Sequence, residues 1–414
     1  MKYCYQNIVI KADAERMTVI NRHMFTSTAA FRCIVTLERD GKRVARETVE
    51  TDVAPLSEKT YPLPFGKQTI PGEYAVTVSF RLKEDTPWAE AGYEIAFGQG
   101  IFAVEAGEKP ACPAAEALEI HESLWNIGIR GEHFEVMFNR GMGAIDSYRW
   151  GSREMLKAPL VPNFWRAPTN NDNGNRMPQR YAQWKIASMY GHTGLEEESA
   201  LKNAAVRPAR EADGSVSFTM AYDLPTNPKA GCTVEYRVHP CGKVDARMRY
   251  APVKELGDMP EFGMMMKLDA DYDRVRFFGL GPAENYIDRR EGARLGLWEY
   301  TAKENFTPYL LPQECGNRTG VRWAEITDDR GRGLKLWLNG GEFSALPWTP
   351  HEIENAAHGY ELPPVNYTVV KMSSRQMGIG GDDSWGARTH PEYLIDITRP
   401  VEFAFSFRGI SRQE

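Results

Sequence analysis

Short runs of alternating or β-branched apolar residues, broken at close intervals by turn signals, fill most of this 414-residue chain. A period of two buries one face of a strand and leaves the other to water, whereas a helix needs apolar positions at i, i+3 and i+4. Residues 5–10, 17–21, 31–38, 44–49, 73–80 and 92–104 read as strands, parted by Asp40-Gly41, Pro71-Gly72 and Asp85-Thr86-Pro87. Six or seven strands with no long amphipathic helix predict a β-sandwich over residues 1–106. Residues 107–116 carry two prolines and small side chains and read as a linker. Strands resume at 118–123, 125–130, 134–139 and 144–150, and the pattern continues through 401–407. Phe134, Val136 and Phe138 fall on one face. The one plausible helix lies near 180–188, around Tyr181 and Trp184. Residues 117–414 are too many for one ordinary sandwich and predict two broad packed sheets, so the fold class is all-β.

Composition narrows the function. The net charge is −6, and no Lys or Arg block is long enough to track a phosphate backbone, so nucleic acid is not expected as a partner. No stretch of about 18 apolar residues exists, so no transmembrane helix is expected. The start, Met1-Lys2-Tyr3-Cys4-Tyr5-Gln6, has no apolar secretory run; with Met1 as the natural start, that predicts the cytoplasm. Cys4, Cys33, Cys112, Cys232, Cys241 and Cys315 show no CxxC spacing and read as scattered thiols instead of a disulfide framework or zinc site. Neither a Walker loop nor HExxH occurs.

Three segments hold chemistry. In Met377-Gly378-Ile379-Gly380-Gly381-Asp382-Asp383-Ser384-Trp385, three glycines permit an unusual or closely approaching backbone, and Asp-Asp-Ser stiffens a turn. Trp385 is then either a core or interface residue, as most tryptophans are, or an indole presented to a ligand. A presented indole has a flat apolar face and one N–H donor, which suits the C–H face and hydroxyl edge of a sugar. Residues 163–174 are rich in side-chain amides beside Phe164, Trp165 and Arg166. With one carboxylate, Asp172, they read as a hydrogen-bonded loop that docks against a neighbouring domain, in preference to a calcium site, which needs six to eight oxygens. A retaining glycosidase needs two carboxylates about 5 Å apart. Glu284 with Asp288 and Asp382 with Asp383 are the candidates; an ion-pair network for the first and a turn for the second are the better accounts. His192, His351, His358 and His390 sit in no motif tied to acid–base work.

MGIGGDDSW resembles the signature near the C-terminus of large family 2 β-galactosidases. Residues 163–174 resemble that family's FWRAPTDND motif, and residues 278–289 its GLGPxENYxDR motif. Residues 2–8 and 88–92 agree more weakly. The resemblance covers nearly the whole chain but only the last two domains of such an enzyme; the barrel with the catalytic carboxylates would precede residue 1. It implies an immunoglobulin-like β-sandwich at 1–106, the linker at 107–116, and at 117–414 a large antiparallel super-sandwich related to the galactose mutarotase fold. It implies Trp385 as the substrate-binding residue, reaching into the barrel's site to stack on a β-galactoside, and no catalytic or metal-binding residue here. No cofactor is implied on this chain; magnesium and sodium are implied for the complete enzyme, on domains outside it. The partners implied are a barrel-bearing chain or domain, a galactoside and a second copy in a homo-oligomer. An aromatic patch, built from residues 163–174 and the Trp385 loop, is expected where the barrel docks. A stand-alone carbohydrate-binding module and a mutarotase-like epimerase are the other two classes that the sequence admits.

Overall fold

The computed structural model describes residues 2–105, 117–191, 203, 205–383 and 385–411. The expected linker at 107–116 and His192 lie outside the described residues. The chain divides into two compact units, one built on residues 1–110 with short pieces from 280–282 and 291–297, the other on the remainder.

The first unit is an antiparallel sandwich. Ile8–Ala12, Arg16–Asn21 and Ser57–Pro62 form one sheet; Lys42–Val49, Phe31–Arg39, Gly72–Leu82 and Glu94–Val104 form the other. Ile8, Met17, Val19, Val35, Val76, Val78 and Phe80 meet between them as the core. Asp40 (φ 50°) and Gly41 (φ 77°) close the hairpin from Arg39 to Lys42. Both angles are positive, as a tight hairpin turn matching strand twist requires. The strand expected at 5–10 begins only at Ile8, because Lys2–Tyr5 is a helical turn.

The second unit is the large super-sandwich. In hydrogen-bonded order, Val216–Leu224, Ala230–Val238, Val244–Tyr250, Val401–Ile410, Gly333–Leu346, Arg318–Thr327 and Arg274–Gly281 run antiparallel. A second run joins Glu119–Glu122, Asn126–Arg130, Phe134–Asn139, Ala144–Trp150, Ala158–Asn163, Glu261–Asp269 and Tyr367–Gln376, and ends on Gly333–Leu346 again. That strand serves both runs: residues 333–337 pair with Val401–Ile410, and residues 342–346 with Tyr367–Gln376. Asn339 (φ 51°) and Gly340 (φ 94°) turn it between the two. Phe134, Val136 and Phe138 are all buried, as their period of two predicts.

The helix expected near 180–188 is Ala182–Tyr190, with Trp184 fully buried. It is accompanied by Asn170–Gly174, Met177–Arg180 and Pro350–Asn355, which corrects the expectation of a single helix. Cys4, Cys33, Cys232 and Cys315 are free thiols, but Cys241 is disulfide-bonded, which corrects the expectation of idle cysteines throughout.

Candidate functional site

The buried strand Tyr367–Gln376 runs directly into the glycine-rich loop, and the loop ends in the indole. Trp385 is 87% exposed. The Asp383 carboxylate accepts the backbone N–H groups of Trp385 (2.8 Å), Gly386 (3.1 Å) and Ala387 (3.1 Å). Those three donors hold the Asp383 pKa below the ordinary carboxylate value, the bond from Trp385 contributing most. Asp382 points elsewhere, to His390 at 2.8 Å, and that bond raises the His390 pKa. The two acids thus diverge and do not form a dyad.

Earlier segments clamp the start of the loop. The Met377 N–H donates to the Pro260 carbonyl at 3.0 Å. The Gly378 carbonyl accepts from Arg166 Nη2 (3.2 Å) and Thr389 Oγ1 (3.0 Å). The Ile379 carbonyl accepts from Thr169 Oγ1 and Asn171 Nδ2, each at 3.3 Å. The Gly380 N–H donates to Asp288 Oδ2 at 2.8 Å. Gly378 and Gly381 are required by crowding, not by backbone angle: none of the three loop glycines has a positive φ. A Cβ on Gly378 would lie 2.8 Å from Asp288 Cγ, and one on Gly381 2.5 Å from the Ala387 carbonyl oxygen.

Residues 163–174 dock onto this loop. Thr169 and Asp172 form a reciprocal capping box on the helix Asn170–Gly174. Asp172 also pairs with Arg166, both side chains buried. Burial works against the Arg166 charge, but Asp172 outweighs it and the pKa rises. With Asp172 so committed, the segment is a folded clamp, and among the described residues no three His, Cys, Asp or Glu side chains gather as metal ligands. Trp165 is fully buried, its Nε1 donating to Glu354 at 3.2 Å. It cannot contribute to an exposed aromatic patch, which corrects that expectation. Leu310, at 96% exposure, does stand in water on the segment whose Gln313 accepts the Asn170 N–H at 3.2 Å.

Glu284 is held by Arg289 (2.7 Å), the Tyr309 hydroxyl (2.9 Å) and the Gly316 N–H (2.6 Å), which leaves it a structural anchor. His351 faces Glu354 at 3.0 Å, and His358 faces Glu361 at 3.2 Å.

One group escaped the sequence reading. Lys371, buried, lies 3.0 Å from Glu261 and 3.1 Å from Glu314, and Ser373 donates to Glu261. Gln376 bridges Glu314 (3.3 Å) and Asn317 (3.4 Å), and Asn317 donates to Glu342 at 2.8 Å. Burial pushes the Glu342 carboxyl up to about 8 and also raises Glu261. A lysine in the apolar run Tyr367-Thr368-Val369-Val370-Lys371-Met372 was the available signal, since a lysine is rarely fully buried unless paired.

The family model "Beta galactosidase small chain" matches residues 130–408, and "Beta-galactosidase, domain 4" matches residues 17–103. The chain is 36% identical over 418 residues to a protein named beta-galactosidase from Priestia megaterium, covering 99% of this chain and 39% of that one. It is 31% identical to a protein named beta-galactosidase small subunit from Latilactobacillus sakei, covering 68% of this chain and 95% of that one. The chain thus spans about two fifths of the full-length relative from Priestia megaterium and nearly all of the small subunit. Among solved structures, galactose 1-epimerase from Lactobacillus acidophilus aligns over 69% of this chain and 94% of its own, with 7% identity and a TM-score of 0.40.

Proposed function

From the premise that this chain belongs to the β-galactosidase small-chain family, we propose that it is the non-catalytic part of an enzyme that hydrolyses terminal β-D-galactosides with retention. The nucleophile and the acid/base are two carboxylates on a barrel-bearing chain or domain that docks beside the Trp385 loop. This chain contributes Trp385, whose indole stacks on the C–H face of the galactosyl ring, and the clamp that holds it. The observation carrying the reading is a large indole standing 87% in water on a loop whose backbone is tied from Met377 to Gly380 and again from Trp385 to Ala387. A loop residue with no packing duty and so fixed a base is suited to a partner or a ligand.

A stacked indole binds ground state and transition state in similar measure, which is uniform binding. In the assembly with the barrel-bearing chain, Trp385→Ala should therefore raise KM more than it lowers kcat. The loss in kcat/KM should be about 1–3 kcal/mol, the range of stacking on a flat ligand face. Steady-state kinetics on a chromogenic β-galactoside test it; unchanged KM would overturn the assignment.

A further inference from the structure

We propose that Asp288 is a positioning residue for the sugar-facing indole, acting on Trp385 through the backbone of the glycine-rich loop; the inference rests on the stacking role assigned to Trp385 above. Asp288 Oδ2 accepts the Gly380 N–H at 2.8 Å, while its buried Oδ1 receives no hydrogen bond among the described residues. The carboxylate's hydrogen bonding is therefore spent on this loop. It also occupies the space that side chains on the loop would need. A Cβ on Gly378 would fall 2.8 Å from both Cγ and Oδ2 of Asp288, and one on Gly380 would fall 3.3 Å from Oδ2. Gly378 thus leaves room for the carboxylate, and Gly380 lies against it.

Gly380 lies between two differently held stretches of backbone. Upstream of it, carbonyls are held by Arg166, Thr169, Asn171 and Thr389. Downstream, Asp383 ties the backbone of Trp385, Gly386 and Ala387 into one turn. That turn is exposed, and outside itself it is tied by Asn175 Nδ2, which donates to the Ala387 carbonyl at 3.5 Å, and by Asp382, which faces His390 at 2.8 Å. Where the chain enters the turn, Asp288 supplies the last backbone hydrogen bond at 2.8 Å, and where it leaves, the longer Asn175 contact to Ala387 is the weaker tie. Without it, the turn keeps its form but swings over a wider range. Ordering it on each encounter with substrate then costs affinity, because a pre-placed group loses less freedom on binding.

The expected result, in the assembly with the barrel-bearing chain, is that Asp288→Ala raises KM about threefold to tenfold, the range that ordering one side chain covers. Turnover should change less than about twofold. Asp288→Asn keeps an acceptor oxygen and nearly the same volume, and should retain most of the native KM. The double variant Trp385→Ala/Asp288→Ala should match Trp385→Ala alone, because residues acting along one path are not additive. In the chain labelled with fluorotryptophan, the Trp385 resonance, assigned by its loss in Trp385→Phe, should show greater mobility in Asp288→Ala. Additive effects on KM, or an unchanged KM in both Asp288 variants while Trp385→Ala raises it, would overturn the proposal. If Trp385→Ala itself leaves KM unchanged, the stacking reading fails. The fluorine relaxation then decides separately whether Asp288 orders the indole.

Discussion

Trp385 and Glu342 mark opposite extremes of side-chain environment. Trp385 fills no core, so Trp385→Ala and Trp385→Phe should both melt within about one or two degrees of the parent, as surface changes do. Trp385→Phe should recover part of the affinity lost in Trp385→Ala, since a smaller flat face remains. Thermal melts beside the kinetics check both, and a large fall in melting temperature would make Trp385 a packing residue. Glu342 is 4% exposed and its carboxyl titrates at about 8, against an ordinary value of 4.5. The folded state holds that proton more tightly than the unfolded one, so the contribution is full below about 4.5 and is lost as pH rises through about 8. Glu342→Gln removes the ionisation. Its melting temperature relative to the parent should rise between pH 5 and pH 9, by a few degrees, as measured by calorimetry. The position of Trp385 was legible because glycines and acids around an indole make a poor core segment. The Lys371 cluster was not, because Glu261 and Glu314 come from a strand and a loop distant in sequence, and only the tertiary fold brings them to one lysine.

The strands were the most readable elements, since a period of two survives wherever one face is buried. Those at 31–38 and 44–49 differ from Phe31–Arg39 and Lys42–Val49 by a residue or two at their ends. Ser57–Pro62 was missed because it is an edge strand exposed along nearly its whole length, and so shows no alternation. Pro350–Asn355 was missed because it is too short for a helical period, though Thr349 and Glu352 spell its capping box. Thr349→Ala should cost about 1 kcal/mol in chemical denaturation, the usual effect of removing an N-cap. The clamp formed by residues 163–174 was legible as a hydrogen-bonded loop, but not as one that holds the glycine-rich loop of its own unit and seals its own tryptophan inside. Its Arg166–Asp172 pair should be costly to break from either side. Arg166→Met and Asp172→Asn are each expected to destabilise by about 3–5 kcal/mol, because the partner's charge stays buried and unpaired. The double variant should lose much less than the sum, which a double-mutant cycle by denaturation measures.

For the molecule as a whole, neither carboxylate pair picked out in the sequence stands free for glycoside chemistry: Glu284, Asp288, Asp382 and Asp383 all hold structure. The purified chain should therefore give no turnover of a chromogenic β-galactoside, and mixing it with a barrel-bearing chain should give activity. Activity in the chain alone, lost in Glu284→Gln, would overturn this. The large sheets, the sandwich and their order were all legible, because strand patterning and three separated motifs agree over nearly the full length. The hydrogen bonds on the loop also set a timetable. The contact from Asp288 to Gly380 spans 92 residues, and that from Arg166 to Gly378 spans 212. Loop closures of that length are slow, and during synthesis they cannot begin until both partners have left the ribosome. Strands such as Val216–Leu224 and Ala230–Val238 can pair early, while the indole acquires its fixed place among the last events of folding. A growing chain halted before Thr389 would lack both the anchor on the Gly378 carbonyl and Val401–Ile410, the strand that joins Val244–Tyr250 to Gly333–Leu346.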